Sequence, residues 1–170
     1  TVDPERDPRW GRTEEGYGED PFLIGEMTTA YTQGMAGDHP TYRRVIPTLK
    51  HFCANNNEKE RNSCSSNVTP RTLREYYYRA FEASIVRGGT GSMMTAYNEL
   101  NGVPACMNPD LKTLVKKQWG LEFIVTDGAD FSQNVLAHHS HATHAEALAA
   151  CLKNGNDVMT DEADMVAAAA

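Results

Sequence analysis

Residues 92–127, SMMTAYNELNGVPACMNPDLKTLVKKQWGLEFIVTD, decide the fold. Two short runs are apolar on both faces, Ser92-Met93-Met94-Thr95-Ala96 and Phe123-Ile124-Val125-Thr126. Between them Leu111, Leu114, Val115 and Trp119 recur at helical spacing, opened by Asn108-Pro109 and closed by Gly120. Proline costs nothing at the first helical position, whose N–H would lack a partner anyway, and glycine takes the left-handed turn at the end cheaply. Strands apolar on both faces and joined through a helix are what a parallel sheet requires. The stretch reads as one βαβ unit.

The same punctuation recurs on either side. Asp20-Pro21 opens a helix predicted to place Ile24, Met27, Tyr31 and Met35 on one inward face and to end near Gly37. Thr69-Pro70 opens another, with Leu73, Tyr77, Ala80, Phe81 and Ile85 inward and Gly88-Gly89 closing it. A last helix runs from near Thr143 through Ala147, Leu148 and Cys151 to Gly155. Apolar runs at Val45-Ile46-Pro47-Thr48-Leu49 and Asp157-Val158-Met159-Thr160 complete the alternation. This predicts an α/β chain of roughly four βα units, about half of an eight-fold (β/α)8 TIM-type barrel. The alternation alone does not separate a partial barrel from an open doubly wound sheet. A complete barrel takes roughly 250 residues, more than the 170 present. The closing alanines read as a helix cut short.

Composition narrows the partners. A net charge of -7 with no basic stripe argues against nucleic acid. No apolar run approaches the roughly 20 residues that cross a bilayer, so no membrane partner is predicted. A basic, then apolar, then small-residue leader is missing, but the chain begins abruptly at Thr1-Val2-Asp3-Pro4, as though cut from something longer. Cys53, Cys64, Cys106 and Cys151 are widely spaced, with no CxxC pair and no zinc pattern. They predict free thiols and a reducing, cytoplasmic compartment, with export left open.

In parallel α/β folds the functional groups gather at the C-terminal ends of the strands. Lys50-His51-Phe52, then Asn55-Asn56-Asn57-Glu58 and Arg61, follow the first apolar run. Tyr97-Asn98-Glu99 follow the second, Asp127-Gly128 the third and Asp161-Glu162 the fourth. Each has an ordinary structural explanation: a strand-end aspartate caps the next helix, Lys50-His51 forms a surface pair, Trp10 packs. His138, His139, His141 and His144 suggest a metal, but spacing within an unplaced loop is poor support for one. Several polar motifs at successive strand ends together point to a ligand site.

Those motifs carry a specific resemblance. Asp7-Pro8-Arg9-Trp10-Gly11-Arg12 followed by Tyr17-Gly18-Glu19-Asp20-Pro21 resembles the N-terminal signature of glycoside hydrolase family 3. Lys50-His51-Phe52, Asn56, Glu58, Arg61, Arg71-Thr72-Leu73-Arg74-Glu75 and Met94-Thr95-Ala96-Tyr97-Asn98 follow in the family's order. So do Asn101-Gly102-Val103-Pro104, Trp119-Gly120 and Val125-Thr126-Asp127. The resemblance covers nearly the whole chain and implies part of the family's N-terminal barrel domain, over residues 1–170, without the C-terminal domain.

It also implies a function. Family members release terminal β-linked sugars from the non-reducing end with retention, through a covalent glycosyl-aspartate, and need no cofactor. The nucleophile matches Asp127; Arg12, Lys50, His51 and Arg61 match groups that bind the sugar, and Tyr97 one that orients Asp127. Arg12, Lys50 and the Tyr97 hydroxyl are then the candidates to keep Asp127 ionised. Asp130 offers a second carboxylate three residues on, and Gly128 stands where many members have tryptophan. The acid/base usually lies further along the chain, so this stretch alone is expected to be inactive and to need the missing parts of the enzyme; a homo-oligomer is compatible with it. The Asn-Asn-Asn-Glu run favours a β-glucoside or short β-linked oligosaccharide over a β-xyloside. Cys53-Ala54 in place of Gly-His speaks against a β-N-acetylglucosaminide. A Schiff base on Lys50 and a catalytically inactive sugar-binding homologue are the readings from other classes.

Overall fold

The computed structural model describes residues 1–161; Glu162 and the closing alanines lie outside the described residues. A 3-10 turn, Thr13–Glu15, leads into helix α1 (Pro21–Ala36). Strand β1 (Thr48–Phe52) is followed by β2 (Ser65–Ser66), α2 (Pro70–Thr72), a π-helical turn (Leu73–Tyr77) and α3 (Tyr78–Gly88). Then come β3 (Ser92–Thr95), β4 (Glu99–Leu100), β5 (Val103–Pro104), a π-helical segment (Leu111–Lys116) and β6 (Phe123–Val125). Helices α4 (Asp130–Leu136) and α5 (His144–Lys153) close the described chain.

Strands β1, β3 and β6 pair in parallel in that order, and Val158 adds a parallel bridge to Val125. Spatial order therefore repeats chain order. Right-handed crossovers that always step the same way put every helix on one face and leave the other to curl inward, as in a barrel; a doubly wound sheet reverses direction partway. The strand order is the one that a partial barrel requires. A second small sheet, β2–β4–β5, emerges beyond the C-terminal ends of β1 and β3.

The helix starts follow from the caps. Asp20 accepts the Phe22 N–H at 2.9 Å, and Thr69 accepts that of Thr72 at 3.2 Å. Thr143 and Glu146 form a reciprocal capping box at the start of α5. Leu73, Tyr77, Ala80, Phe81 and Ile85 are all buried, as their spacing predicts, and Gly89 ends α3 in the left-handed region at φ 66°. Phe52 anchors the core, stacked on Tyr78 and edge-on to Phe81, both with centroids 5.2 Å away.

Three expectations are corrected. Helix α1 buries Ile24, Gly25, Thr28, Thr29, Thr32 and Ala36, whereas Met27, Tyr31 and Met35 are exposed. The reason is close packing against α3: a Cβ on Gly25 would come within 2.9 Å of the Ala83 Cβ, so only small residues fit the seam. Thr28 and Thr32 donate their hydroxyls to the carbonyls of Ile24 and Thr28, at 2.7 and 2.9 Å, and so serve there as small side chains with satisfied polar groups. Val45 and Ile46 are likewise exposed, and β1 begins only at Thr48, beyond Pro47, which has no N–H for a ladder. The fourth apolar run contributes one bridge, because the Asp157 carboxylate itself takes the Ile124 N–H at 2.7 Å. Helix α4, with Phe131 buried, has no counterpart in the predicted elements.

Candidate active site

The site is built around the C-terminal end of β1. Residues Thr1-Val2-Asp3 lie along its free edge, where the Val2 N–H donates to the Lys50 carbonyl at 2.8 Å. Asp3 is wholly buried, and its Oδ2 accepts the backbone N–H of His51 at 3.1 Å and faces the ring Nδ1 at 3.0 Å. His51 is itself only 2 % exposed, not a surface residue. Its other ring nitrogen, Nε2, lies 3.5 Å from Oδ2 of Asp127 and 3.5 Å from Nη2 of Arg12. Residues from the N-terminal loop, β1 and the turn after β6 therefore meet at one imidazole.

Arg12 grips Glu15 with both arms of its fork, Nε to Oε1 at 2.8 Å and Nη2 to Oε2 at 2.9 Å. Lys50 reaches the same carboxylate at 3.2 Å. The hydrogen bonds from Arg12, and secondarily the pull of Lys50, hold the Glu15 carboxyl down at about 2. Two of the predicted sugar-binding cations are thus tethered by a carboxylate that sequence reasoning passed over. The available signal was its position three residues after Arg12, in the 3-10 turn.

A second chain of contacts runs from Trp10 to Gly128. The Trp10 indole is buried and donates to Oε1 of Glu58 at 2.9 Å, so it packs instead of presenting a face. Glu58 takes Arg61 on its other oxygen at 3.0 Å, and the Arg61 guanidinium lies 4.7 Å above the centre of the Tyr97 ring. The Tyr97 hydroxyl donates to the Gly128 carbonyl at 2.7 Å. Burial, and then the charge of nearby Asp127, push its phenol up to about 12.

The two carboxylates after β6 occupy different surroundings. Asp127 keeps 20 % of its side chain exposed, and its Oδ1 accepts the Gly128 N–H at 2.7 Å. It does not cap the following helix, whose N-cap position is Ala129. Asp130 is 2 % exposed, accepts the Thr95 hydroxyl at 2.6 Å, and is raised to about 7, mainly by burial. Gly128 is not forced by crowding: an added Cβ would first meet the Thr160 carbonyl, at 3.9 Å, which leaves room beside Asp127.

His138 turns its Nε2 to the Tyr97 carbonyl at 2.8 Å and its Nδ1 towards Glu99 at 3.5 Å. Among the described residues no three His, Cys, Asp or Glu side chains gather as a metal would need. The four cysteines are free, three of them buried. No described helix is long and apolar enough to cross a membrane. A hollow of about 500 Å3 lies between α1 and α3, beside Phe22, Glu26, Arg79 and Val86.

Comparisons with known proteins bear on this geometry. The family model described as glycosyl hydrolase family 3 N terminal domain matches residues 1–169. A β-xylosidase of Formosa agariphila is 37% identical over 158 residues, 89% of this chain and 22% of that protein. An exo-1,4-β-xylosidase of Emericella nidulans is 34% identical over 166 residues, 92% of this chain and 22% of its own length. A solved β-glucosidase from Erythrobacter marinus superposes with a TM-score of 0.89 at 29% identity, covering 95% of this chain and 22% of that one. The chain spans about a fifth of the length of the curated relatives it matches.

Proposed function

Because the chain belongs to glycoside hydrolase family 3, as part of its N-terminal barrel-type domain, we propose that the whole protein is a retaining, exo-acting β-glycosidase that releases terminal glucose. Asp127 is its nucleophile. The carboxylate attacks the anomeric carbon while the leaving oxygen is protonated, giving a glycosyl-aspartate; water then displaces the aspartate, and two inversions leave the configuration retained. Glu58 is engaged by Trp10 and Arg61 and Glu99 faces His138, so on this reading the proton donor is supplied by another part of the enzyme. Arg12, Lys50, His51 and Arg61 bind the sugar's hydroxyls, a task suited to fixed donors. Tyr97 orients Asp127, its hydroxyl lying against that carboxylate while donating to the Gly128 carbonyl.

The observation that carries the reading is the meeting of Asp127 with His51 and Arg12 at one nitrogen, 3.5 Å from each. The contrast with Asp130 supports it, since that carboxyl is buried against Thr95 and closed off from a sugar, whereas Asp127 keeps a fifth of its side chain exposed. That the Formosa and Emericella relatives are β-xylosidases favours a second reading, a β-xyloside as substrate. The full-length enzyme is incubated with 2-deoxy-2-fluoro-β-glucosyl fluoride and the labelled peptide mapped by mass spectrometry. A label on Asp127 is expected; a label on another carboxylate overturns the assignment. Labelling by the xylo-configured reagent alone moves the substrate to the pentose.

A further inference from the structure

The buried pair of Asp3 and His51 is not needed to hold the chain together at that point. The Val2 N–H to the Lys50 carbonyl and the Asn56 amide to the Pro4 carbonyl, each at 2.8 Å, already tie this segment down. Removing a carboxylate from water costs several kcal/mol unless donors meet it. Here both principal donors belong to one residue, the backbone N–H and ring Nδ1 of His51, with the Thr1 hydroxyl beside them. The other carboxylate oxygen, Oδ1, is buried with no hydrogen-bond partner. So costly an arrangement aimed at one side chain indicates a task performed through it.

The chemistry of the contact defines that task. An ionised carboxylate only accepts, so the ring nitrogen facing it must carry the proton. The orientation of the ring then follows, and Nε2 is turned to Oδ2 of Asp127 and to Arg12. Without Asp3 the ring could turn over about its Cβ–Cγ bond and present either nitrogen to the site. A buried carboxylate that selects a histidine's tautomer and ring position is a known solution wherever the opposite nitrogen has work to do.

We propose that Asp3 is a positioning residue for the glycosidase reaction: it fixes the tautomer and orientation of His51, whose Nε2 then accepts from Arg12 and sets that cation beside the Asp127 carboxylate. The inference rests on the reading of Asp127 as nucleophile, but acts behind it. In the full-length enzyme, Asp3→Asn lowers the rate of covalent labelling at saturating inactivator at least tenfold. The concentration for half-maximal labelling shifts less than threefold, because sugar contacts from Arg12, Lys50 and Arg61 remain. In a His51→Gln background the same substitution has no further effect, which a merely structural role for Asp3 does not predict. Additive losses in the double variant, or an unchanged rate in Asp3→Asn, overturn the proposal.

If Asp3→Asn does not fold, ring-15N-histidine NMR of the wild-type enzyme decides. Nδ1 of His51 must be protonated, and a bare Nδ1 overturns the proposal. Failure of the underlying reading is distinguishable: wild-type enzyme that labels away from Asp127 removes the nucleophile assignment, whatever Asp3→Asn does.

Discussion

Asp130→Asn should stabilise the protein increasingly as pH rises from about 4 to about 8, a dependence fixed by where this carboxyl sits. It lies at the first residue of α4, 2 % exposed, with the Thr95 hydroxyl donating to it at 2.6 Å. Burial, reinforced by the charges of Asp127 and Asp161, lifts it from 3.8 to about 7, although the bonds from Thr95 and Cys106 pull the other way. Between those values the folded chain holds a proton that the unfolded chain has released. Wild-type stability therefore falls as pH rises through the window and levels off above it. About three pH units at roughly 1.4 kcal/mol each set an upper bound of about 4 kcal/mol; relaxation around the charge reduces it, and roughly 2 kcal/mol or more should survive. The asparagine does not titrate, and its oxygen can still accept from Thr95. Urea unfolding followed by tryptophan fluorescence, through Trp10 and Trp119, gives the two stability curves. They should meet near pH 4 and diverge towards pH 8 in favour of the variant. A difference independent of pH, or a wild type that gains stability between pH 4 and 7, refutes the reasoning.

Further outcomes follow from the packing and the ion pairs. Gly88→Ala should destabilise by about 1–3 kcal/mol in the same assay, despite alanine's better helix propensity, because the added Cβ would lie 2.6 Å from the Thr32 Oγ1 and 3.3 Å from the Thr29 Cα. Phe81→Ala, which opens the core beside Phe52, should cost about 3–5 kcal/mol. Thr143→Ala removes half of the capping box and should cost about 0.5–2 kcal/mol, read as a lower urea midpoint. Glu15→Gln, on the proposed function, releases Arg12 and Lys50 from their shared partner. It should raise the KM of the full-length enzyme for an aryl β-glycoside about tenfold, equivalent to one charged hydrogen bond of about 1.4 kcal/mol, with a smaller change in kcat.

What a single sequence can determine is local. Helix starts at Asp20, Thr69 and Thr143, and stops at Gly89 and Gly155, were legible because capping and left-handed turns depend on a few adjacent residues. The inward face of α3 was legible because it packs on large apolar neighbours, and the strand-end positions of His51, Tyr97 and Asp127 follow from the alternation of elements. Tertiary structure decided what depends on partners distant in sequence. Helix α1 turned its threonine and glycine side inward because α3 approaches too closely for Met27 or Tyr31, and no feature of α1 alone reveals that distance. The same holds for Asp3 and His51, 48 residues apart. It holds again for Asp127 and Asp130: two chemically identical carboxyls stand three positions apart, and only the fold leaves one partly open beside an imidazole and closes the other in against Thr95. A carboxyl's chemistry is set by its solvation and neighbours, and those exist only once the chain has folded.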